Sequence, residues 1–393
     1  MSGTPLGEFT TLMASQGPAW ASGPEVLINE AVKRRYTHSR IQNGKRMDEM
    51  CQGGDEIKDT IFLEEKSTFR RYNPNVKINV ENPQTGITWT VPWAFATAHM
   101  SWTKQEIGLN KDTTTAKFRA QRYKALMYQK HQNLWTDMCN SMEDELWATP
   151  NETDMESSTP SDARVPYSIP CFITENTNGA PLNADNTSWS TVQGISPSAQ
   201  AKWRNQQETY TYNAASDSTT IFTRMSKLLH QVKFDRLPKH GEYSDKTTSP
   251  HVILCSLAGM TNYEHALRTN QDQFRGIGKT SGQDPDYNNP TFRNVPLDYI
   301  EALDTASLYT DGSATADEDN ATVTGPRYYF VNGEYMNFIW HSENYCVLED
   351  PVNLTAGGQP FTYVQHVDCW NNLIARSRYR QGILSPSSST SNA

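Results

Sequence analysis

The sequence lacks the marks of several large protein classes. It has no Gly-x-Ser-x-Gly elbow and no His-Glu-x-x-His pair, so neither a common hydrolase nucleophile nor a common zinc-peptidase helix is written in it. No stretch approaches the roughly 18 apolar residues of a membrane span, and the best, Val252 to Met260, has about half that length. A basic excess is absent too: 35 Lys and Arg stand against 44 Asp and Glu, for a net charge of −9. A dedicated nucleic-acid binder needs the opposite balance to release phosphate counterions. The six cysteines, Cys51, Cys139, Cys171, Cys255, Cys346 and Cys369, are scattered and form no Cys-x-x-Cys pair. That argues against a disulfide scaffold and fits a reducing cytoplasm. Met1 to Phe9 lacks the charged-then-apolar layout of a signal peptide, so the sequons at Asn151, Asn186, Asn320 and Asn353 carry no glycosylation meaning.

What is present in excess is aromatic and polar. The 393 residues include 10 Trp and 18 Tyr, yet mean hydropathy is −0.70. That combination suits a thin core with surfaces that meet other chains, since aromatics are enriched at interfaces. A carbohydrate-binding enzyme has the same profile, so composition leaves both open.

Along the chain, residues 1–54 carry one short helical candidate, Pro24 to Val32, and a basic run of Lys33, Arg34, Arg35, Arg40, Lys45 and Arg46. The run reads as a solvated or subunit-contacting arm in preference to a DNA contact. Lys77 to Glu81 and Ile87 to Trp93 alternate about the turn-like Asn82-Pro83-Gln84-Thr85-Gly86, which predicts a β-hairpin. The hairpin has no core partner nearby in sequence, and a lone two-stranded hairpin is marginal, so it is expected to lean on another element or subunit. A long amphipathic helix is predicted between the cap candidates Asp112 to Thr115 and Pro150, with Phe118, Tyr123, Leu126, Met127, Leu134, Met138, Met142 and Leu146 on one stripe. Residues 149–215 read as loop, which at that length is functional or interface-forming. A regular α/β section follows: a helix over Ser218 to Val232, a buried strand at Val252 to Cys255, a helix through Tyr263 and Leu267, and an extended piece from Thr291 to Ile300. Thr305 to Thr324 is a polar loop; Arg327 to Asn332, Phe338 to His341 and Tyr345 to Leu348 read as strands. A last long strand is expected over Thr362 to Arg380, before a Ser-rich disordered tail from Ser385 to Ala393.

The motifs that come nearest to chemistry are each incomplete. Gly276-Ile277-Gly278-Lys279-Thr280 resembles a phosphate-binding loop, but Gln273 stands at the first glycine position and a helical pattern precedes it. A flexible surface loop is the better account. His341, Cys346, His366 and Cys369 have zinc-compatible types, yet only His366 and Cys369 are closely spaced, and on a strand that odd spacing points them to opposite faces. Core thiols and partner-bonded imidazoles are the expected outcome. Carboxylate pairs such as Glu64-Glu65 and Glu349-Asp350 are not singled out by anything around them. The sequence therefore nominates no catalytic, cofactor-binding or metal residue.

The order of elements, arm, hairpin, long helix and α/β region, resembles the Hong Kong 97-type capsid subunit. The closer likeness lies in Pro250 to Leu254, Arg327 to Asn332, His341 to Tyr345, Val367 to Leu373 and Arg376 to Ile383, whose texture is similar to that of major capsid proteins of tailed bacteriophages. The resemblance implies an α+β fold with an N-terminal arm (1–54), an E-loop hairpin (55–105), a peripheral domain with spine helix and loop insertion (106–216), an axial domain (217–345), returning strands (346–386) and a disordered tail (387–393). It also implies a non-enzymatic shell subunit in the virion, assembled in the host bacterial cytoplasm as hexamers and pentamers around double-stranded DNA touched non-specifically. The implied partners are a portal, a decoration protein and, because 54 mostly polar residues leave little room for a built-in scaffold, a separate scaffolding protein. Some relatives crosslink a hairpin lysine to an asparagine; Lys66 and Lys77 are the local candidates. The competing readings are a carbohydrate-active hydrolase and another virion component, of the tail or head-completion type.

Overall fold

The computed structural model describes residues 50–51, 54–63, 71, 73, 86–105, 116–159, 163–183, 187–211, 219–232, 251–269, 290–293, 295–304, 326–354 and 361–387. In chain order the strands are β1 (Met50–Cys51), β2 (Glu56–Phe62), β3 (Gly86–Pro92), β4 (Ala94–Thr103), β5 (Gln206–Tyr210), β6 (His251–Cys255), β7 (Thr291–Phe292) and β8 (Val295–Tyr299), then β9 (Tyr328–Asn332), β10 (Met336–His341), β11 (Val347–Leu348), β12 (Val352–Asn353), β13 (Thr362–Ala375) and β14 (Gly382–Pro386). The helices are α1 (Ala116–Leu146), α2 (Glu152–Met155), α3 (Ile169–Phe172), α4 (Ile221–Val232) and α5 (Leu257–Thr269). Two compact units emerge, discontinuous in sequence: the first holds Phe95–Met142 and Glu343–Trp370, the second the other described residues.

In the first unit the start of β13 pairs antiparallel with β11 and β12. β4 also pairs with β13, and Trp102 stacks on Tyr363 with ring centroids 6.1 Å apart. The sequence reading places residues 94–103 within the hairpin; they are instead a sheet strand, alternating exposed Phe95, Thr97, His99 and Ser101 with buried Met100 and Trp102 towards its end. The long helix occurs where its stripe predicts, with Met127, Leu134, Met138 and Met142 buried at intervals of seven and four.

The second unit is built on a mixed sheet in the order β5-β14-β9-β6-β8-β7. β9, Tyr-Tyr-Phe-Val-Asn, is buried at every position, as a strand covered on both faces must be. Tyr328 and Phe330 join a core with Ile221, Met225, Leu228 and Val232 of α4, while Trp147 meets Tyr329 edge-on at 5.2 Å. α4 approaches β14 so closely that a Cβ on Gly382 would stand 2.7 Å from Val232 Cγ2 and 3.0 Å from Leu228 Cδ1, so only glycine fits. The expected strand over 362–380 is therefore two strands. It breaks after Ala375, turns through a short 3-10 segment at Arg378–Arg380, and re-enters as β14 between β5 and β9. Ser385 and Pro386, read from sequence as the start of a loose tail, are buried in β14 and pair with Thr209 and Tyr210; residues 388–393 lie outside the described residues.

The described residues of the stretch read as loop insertion build a packed interior of their own beneath an exposed surface. Tyr167, Phe172, Trp189 and Trp203 are buried within it. A buried loop must find partners for its backbone without a ladder, and here side chains supply them. Tyr167 N–H donates to the Asn372 side-chain oxygen, Thr174 N–H donates to that of Asn205, and Asn205 in turn donates to the Thr174 carbonyl. The high Asn and Thr content that signals surface loop supplies part of this scaffold of hydrogen bonds.

At its centre lies Arg378, wholly buried. Its guanidinium donates to the carbonyls of Phe172 (2.9 Å), Trp203 (3.2 Å), Cys171 (3.3 Å) and Gly179 (2.8 Å). Gly179 itself takes φ 71°, and a Cβ there would meet Arg204 Cγ at 2.6 Å. Burial pulls the guanidinium down to about 9, opposed by Cys171 and Glu156, so it stays charged at neutral pH. Next to it, Gln381 exchanges two hydrogen bonds with the Asn332 backbone, N–H to Oε1 at 2.7 Å and Nε2 to carbonyl at 3.0 Å. Replacing Arg378 with Ala leaves four buried carbonyls unmet, each costing about 1–3 kcal/mol. The Arg378→Ala chain is expected to be insoluble. Arg378→Lys, with donors radiating from one nitrogen, is expected to fold with a clearly lowered denaturant midpoint. A Lys variant with an unchanged midpoint would show the fork geometry to be dispensable.

Candidate functional site

The site best marked by exposure is the β2–β3 hairpin. Its strands pair antiparallel from Glu56 with Pro92 to Phe62 with Gly86. The described partner of the Ile87 strand is thus Glu56–Phe62, where the sequence reading pairs it with Lys77 to Glu81; those residues and the 82–85 turn lie outside the described residues. The two ends of the hairpin differ. At the base Ile57, Trp89 and Val91 are buried. Where the described pairing ends, Phe62 is 73% exposed, the most of any large apolar side chain among the described residues. Aromatic side chains are enriched where protein interfaces bury surface.

The base is held by its own chain, through residues distant in sequence and not through neighbours of the hairpin. Val192 and Ile195 exchange both backbone hydrogen bonds around Gln193 (φ 56°) and Gly194 (φ 73°). Two consecutive positive φ values make a type I′-like turn. The Gln193 carbonyl accepts from Thr90 N–H at 3.2 Å. In the amide orientation that satisfies both groups, the Gln193 side chain pairs with the Ala375 peptide at 2.8 and 3.0 Å. Trp93 donates to the Gly54 carbonyl at 2.9 Å and meets His341 edge-on at 5.7 Å, and Asn372 donates to the Pro92 carbonyl at 2.6 Å. The Gln-Gly dipeptide is a legible turn signal; its contact with strand β3, about a hundred residues earlier, is not.

The residues with chemistry-bearing side chains do not converge. His341 is buried beside Trp93, and His366 faces His99 at 5.9 Å between ring centroids. Cys346 and Cys369 do meet, with sulfurs 3.7 Å apart. Gln365, Val367 and Cys369 are buried while His366 and Asp368 are half-buried, as expected for opposite strand faces. Among the described residues, no group of three or more His, Cys, Asp and Glu is arranged to hold a metal ion. Gly276 to Thr280, Glu64-Glu65, Lys66, Lys77 and the basic run 33–46 lie outside the described residues. Glu349 and Asp350 are both exposed.

No family profile and no curated protein matches this sequence. Solved structures do. The capsid asymmetric unit of Cyanophage A-1(L) is similar with a TM-score of 0.55 at 12% identity, over 92% of this chain and 95% of that one. The Cyanophage Pam1 capsid asymmetric unit aligns over 96% and 98% with a TM-score of 0.49 at 10% identity. At such identity the likeness to the A-1(L) subunit establishes fold: this chain has an α+β fold of the phage-capsid type, over nearly its whole length.

One carboxylate carries a large shift. Burial, reinforced by the charge of Asp144, raises Glu145 to about 7. Shifted acids mark functional-site candidates, but the charge acting on this one is its own chain neighbour, so a strained structural acid is the account adopted. A folded-state value above the unfolded one means the folded chain binds more protons between pH about 4.5 and about 7, so this residue's contribution to stability falls as pH rises through that window. Glu145→Gln is expected to match the parent near pH 4.5 and to exceed it above pH 7 by about 1–3 kcal/mol, read as a higher Tm at about pH 8 than at about pH 5 relative to the parent. An unchanged difference across pH would refute the assignment.

Proposed function

We propose that this chain is the major capsid protein of a tailed bacteriophage, a non-enzymatic subunit that assembles with copies of itself into an icosahedral shell around double-stranded DNA. The observation that carries the reading is the fold likeness to the Cyanophage A-1(L) capsid subunit, which spans nearly all of both chains. On this reading the β2–β3 hairpin is the E-loop, α1 the spine helix, the unit containing most of α1 and β4 the peripheral domain, and the β5-to-β14 sheet the core of the axial domain. Hexamers and pentamers are the working assemblies. A separate scaffolding protein, a portal and a decoration protein are the partners, and assembly takes place in the host bacterial cytoplasm. The net charge of −9 suits a lining over which packed DNA slides, because strong phosphate binding would hinder packing.

The hairpin explains why self-association is needed: its clasped base holds the ribbon while the Phe62 end stays exposed, and exposed aromatic area is covered when another subunit receives it. Negative-stain microscopy of the purified protein is expected to show rings or shells; stable monomers that turn over glycans would overturn the reading. Phe62→Ser is expected to leave the Tm of the subunit within about 1 °C, as an exposed substitution should. The same substitution is expected to cut the yield of shells several-fold, measured by sedimentation. A normal shell yield would remove Phe62 from the interface.

A further inference from the structure

The pairing of two cysteines in the first unit has a chemical consequence. β11 runs antiparallel to β13 with Val347 opposite Asp368 and Leu348 opposite Val367. Beyond that pair the register slips by one residue: Glu349 N–H donates to the His366 carbonyl, whereas Trp370 N–H donates to the Asn344 carbonyl, so Tyr345 and Cys346 together lie opposite Cys369, as in a β-bulge. The two sulfurs stand 3.7 Å apart, and Cys346 lies in the left-handed region (φ 55°) where the chain bends into the pairing. Cys369 is buried, whereas Cys346 is half-buried and reachable from solvent.

We propose that Cys346 and Cys369 are a disulfide-forming site, oxidised by a low-molecular-weight disulfide such as oxidised glutathione. Cys346 as thiolate attacks one sulfur of the oxidant, forming a mixed disulfide and releasing one glutathione thiolate. Cys369, as thiolate, then attacks the Cys346 sulfur and expels the second glutathione. The two protons lost from the cysteines are taken up by the two glutathiones, and the oxidant gains the two electrons the cysteines lose. The sulfurs close from 3.7 Å to about 2.05 Å, within reach of a side-chain rotation. The bond ties β13 to the 343–348 bend and closes the segment between them, which limits the unfolded chain. Cys139 of α1 is the third thiol of this neighbourhood, as its electrostatic influence on Cys346 and Tyr345 records. The hydrogen bond to Cys369, with burial, holds the Cys346 thiol well above the ordinary range, so the first step is slow at neutral pH and quickens by roughly tenfold per unit as pH rises.

The test uses the intact chain. It is incubated with millimolar oxidised glutathione, acid-quenched, digested without reductant and mapped by mass spectrometry. A single crosslink joining the Cys346 and Cys369 peptides is expected, with a rate that rises from about pH 7 to about pH 9 and a Tm a few degrees above the reduced form. Cys139→Ser is expected to keep the crosslink, and Cys346→Ser, checked for folding by circular dichroism, to abolish it. Crosslinks from Cys139 in the parent, a stable glutathione adduct on Cys346 alone, or both thiols surviving in the folded protein would each overturn the proposal. Shell formation is not needed for any of these readouts, so failure here leaves the capsid reading standing.

Discussion

A charged guanidinium that meets backbone carbonyls in place of a carboxylate holds the second unit together. Arg378 places its donors on four carbonyls from three separate places: the end of α3 (171–172), the turn at Gly179 and the end of a 3-10 segment at Trp203. Carbonyls at helix ends and in turns have no ladder partner of their own. The planar fork of Arg meets several acceptors at fixed angles, which a lysine ammonium cannot do. The elements that follow inherit their position from this residue. Gln381 locks the end of β9, Gly382 admits α4, and β14 enters the sheet directly after Arg378's own turn.

The same use of distant side-chain partners governs the hairpin. A two-stranded ribbon is unstable alone, and its base is secured by its own Trp89 and the adjoining Trp93, together with one tight turn and an asparagine from distant parts of the chain. Fixing one end of a ribbon while leaving the other exposed makes a lever with a defined direction. On the proposed capsid reading, direction matters more than local stability, because a shell closes only if each contact repeats at the same angle.

Much of the fold is legible in the sequence. The stripe of Met127, Leu134, Met138 and Met142 marks α1, the 3–4 spacing from Ile221 to Val232 marks α4, and the apolar runs at 252–255 and 328–331 mark the central strands. These succeed because periodicity is a local property that burial imposes directly. Pairing is less legible. Sequence reading matches the Ile87 strand to its nearest neighbour, while its described partner begins about thirty residues earlier at Glu56, since loop length sets no strong penalty on a longer closure. The tract from 149 to 215 misleads because Asn, Ser and Thr signal loops wherever they occur; whether a loop is buried depends on what covers it. Arg378 stands in a row with Arg376 and Arg380, and nothing in that spacing distinguishes the wholly buried arginine from its half-buried neighbours.

By itself the sequence settled the places of the long helix and central strands and the want of any recognised catalytic motif, while the α+β class entered as what the family resemblance implies. The helix and strands follow from period, which neighbours along the chain express without help. The tertiary structure decided which strands pair, that the polar tract folds around an interior of its own, that Arg378 is its hub, that the hairpin is clasped at the base and exposed at Phe62, and that Cys346 meets Cys369. Each is a contact between residues far apart in sequence, and its energy comes from excluding water between groups whose types alone do not say that they meet.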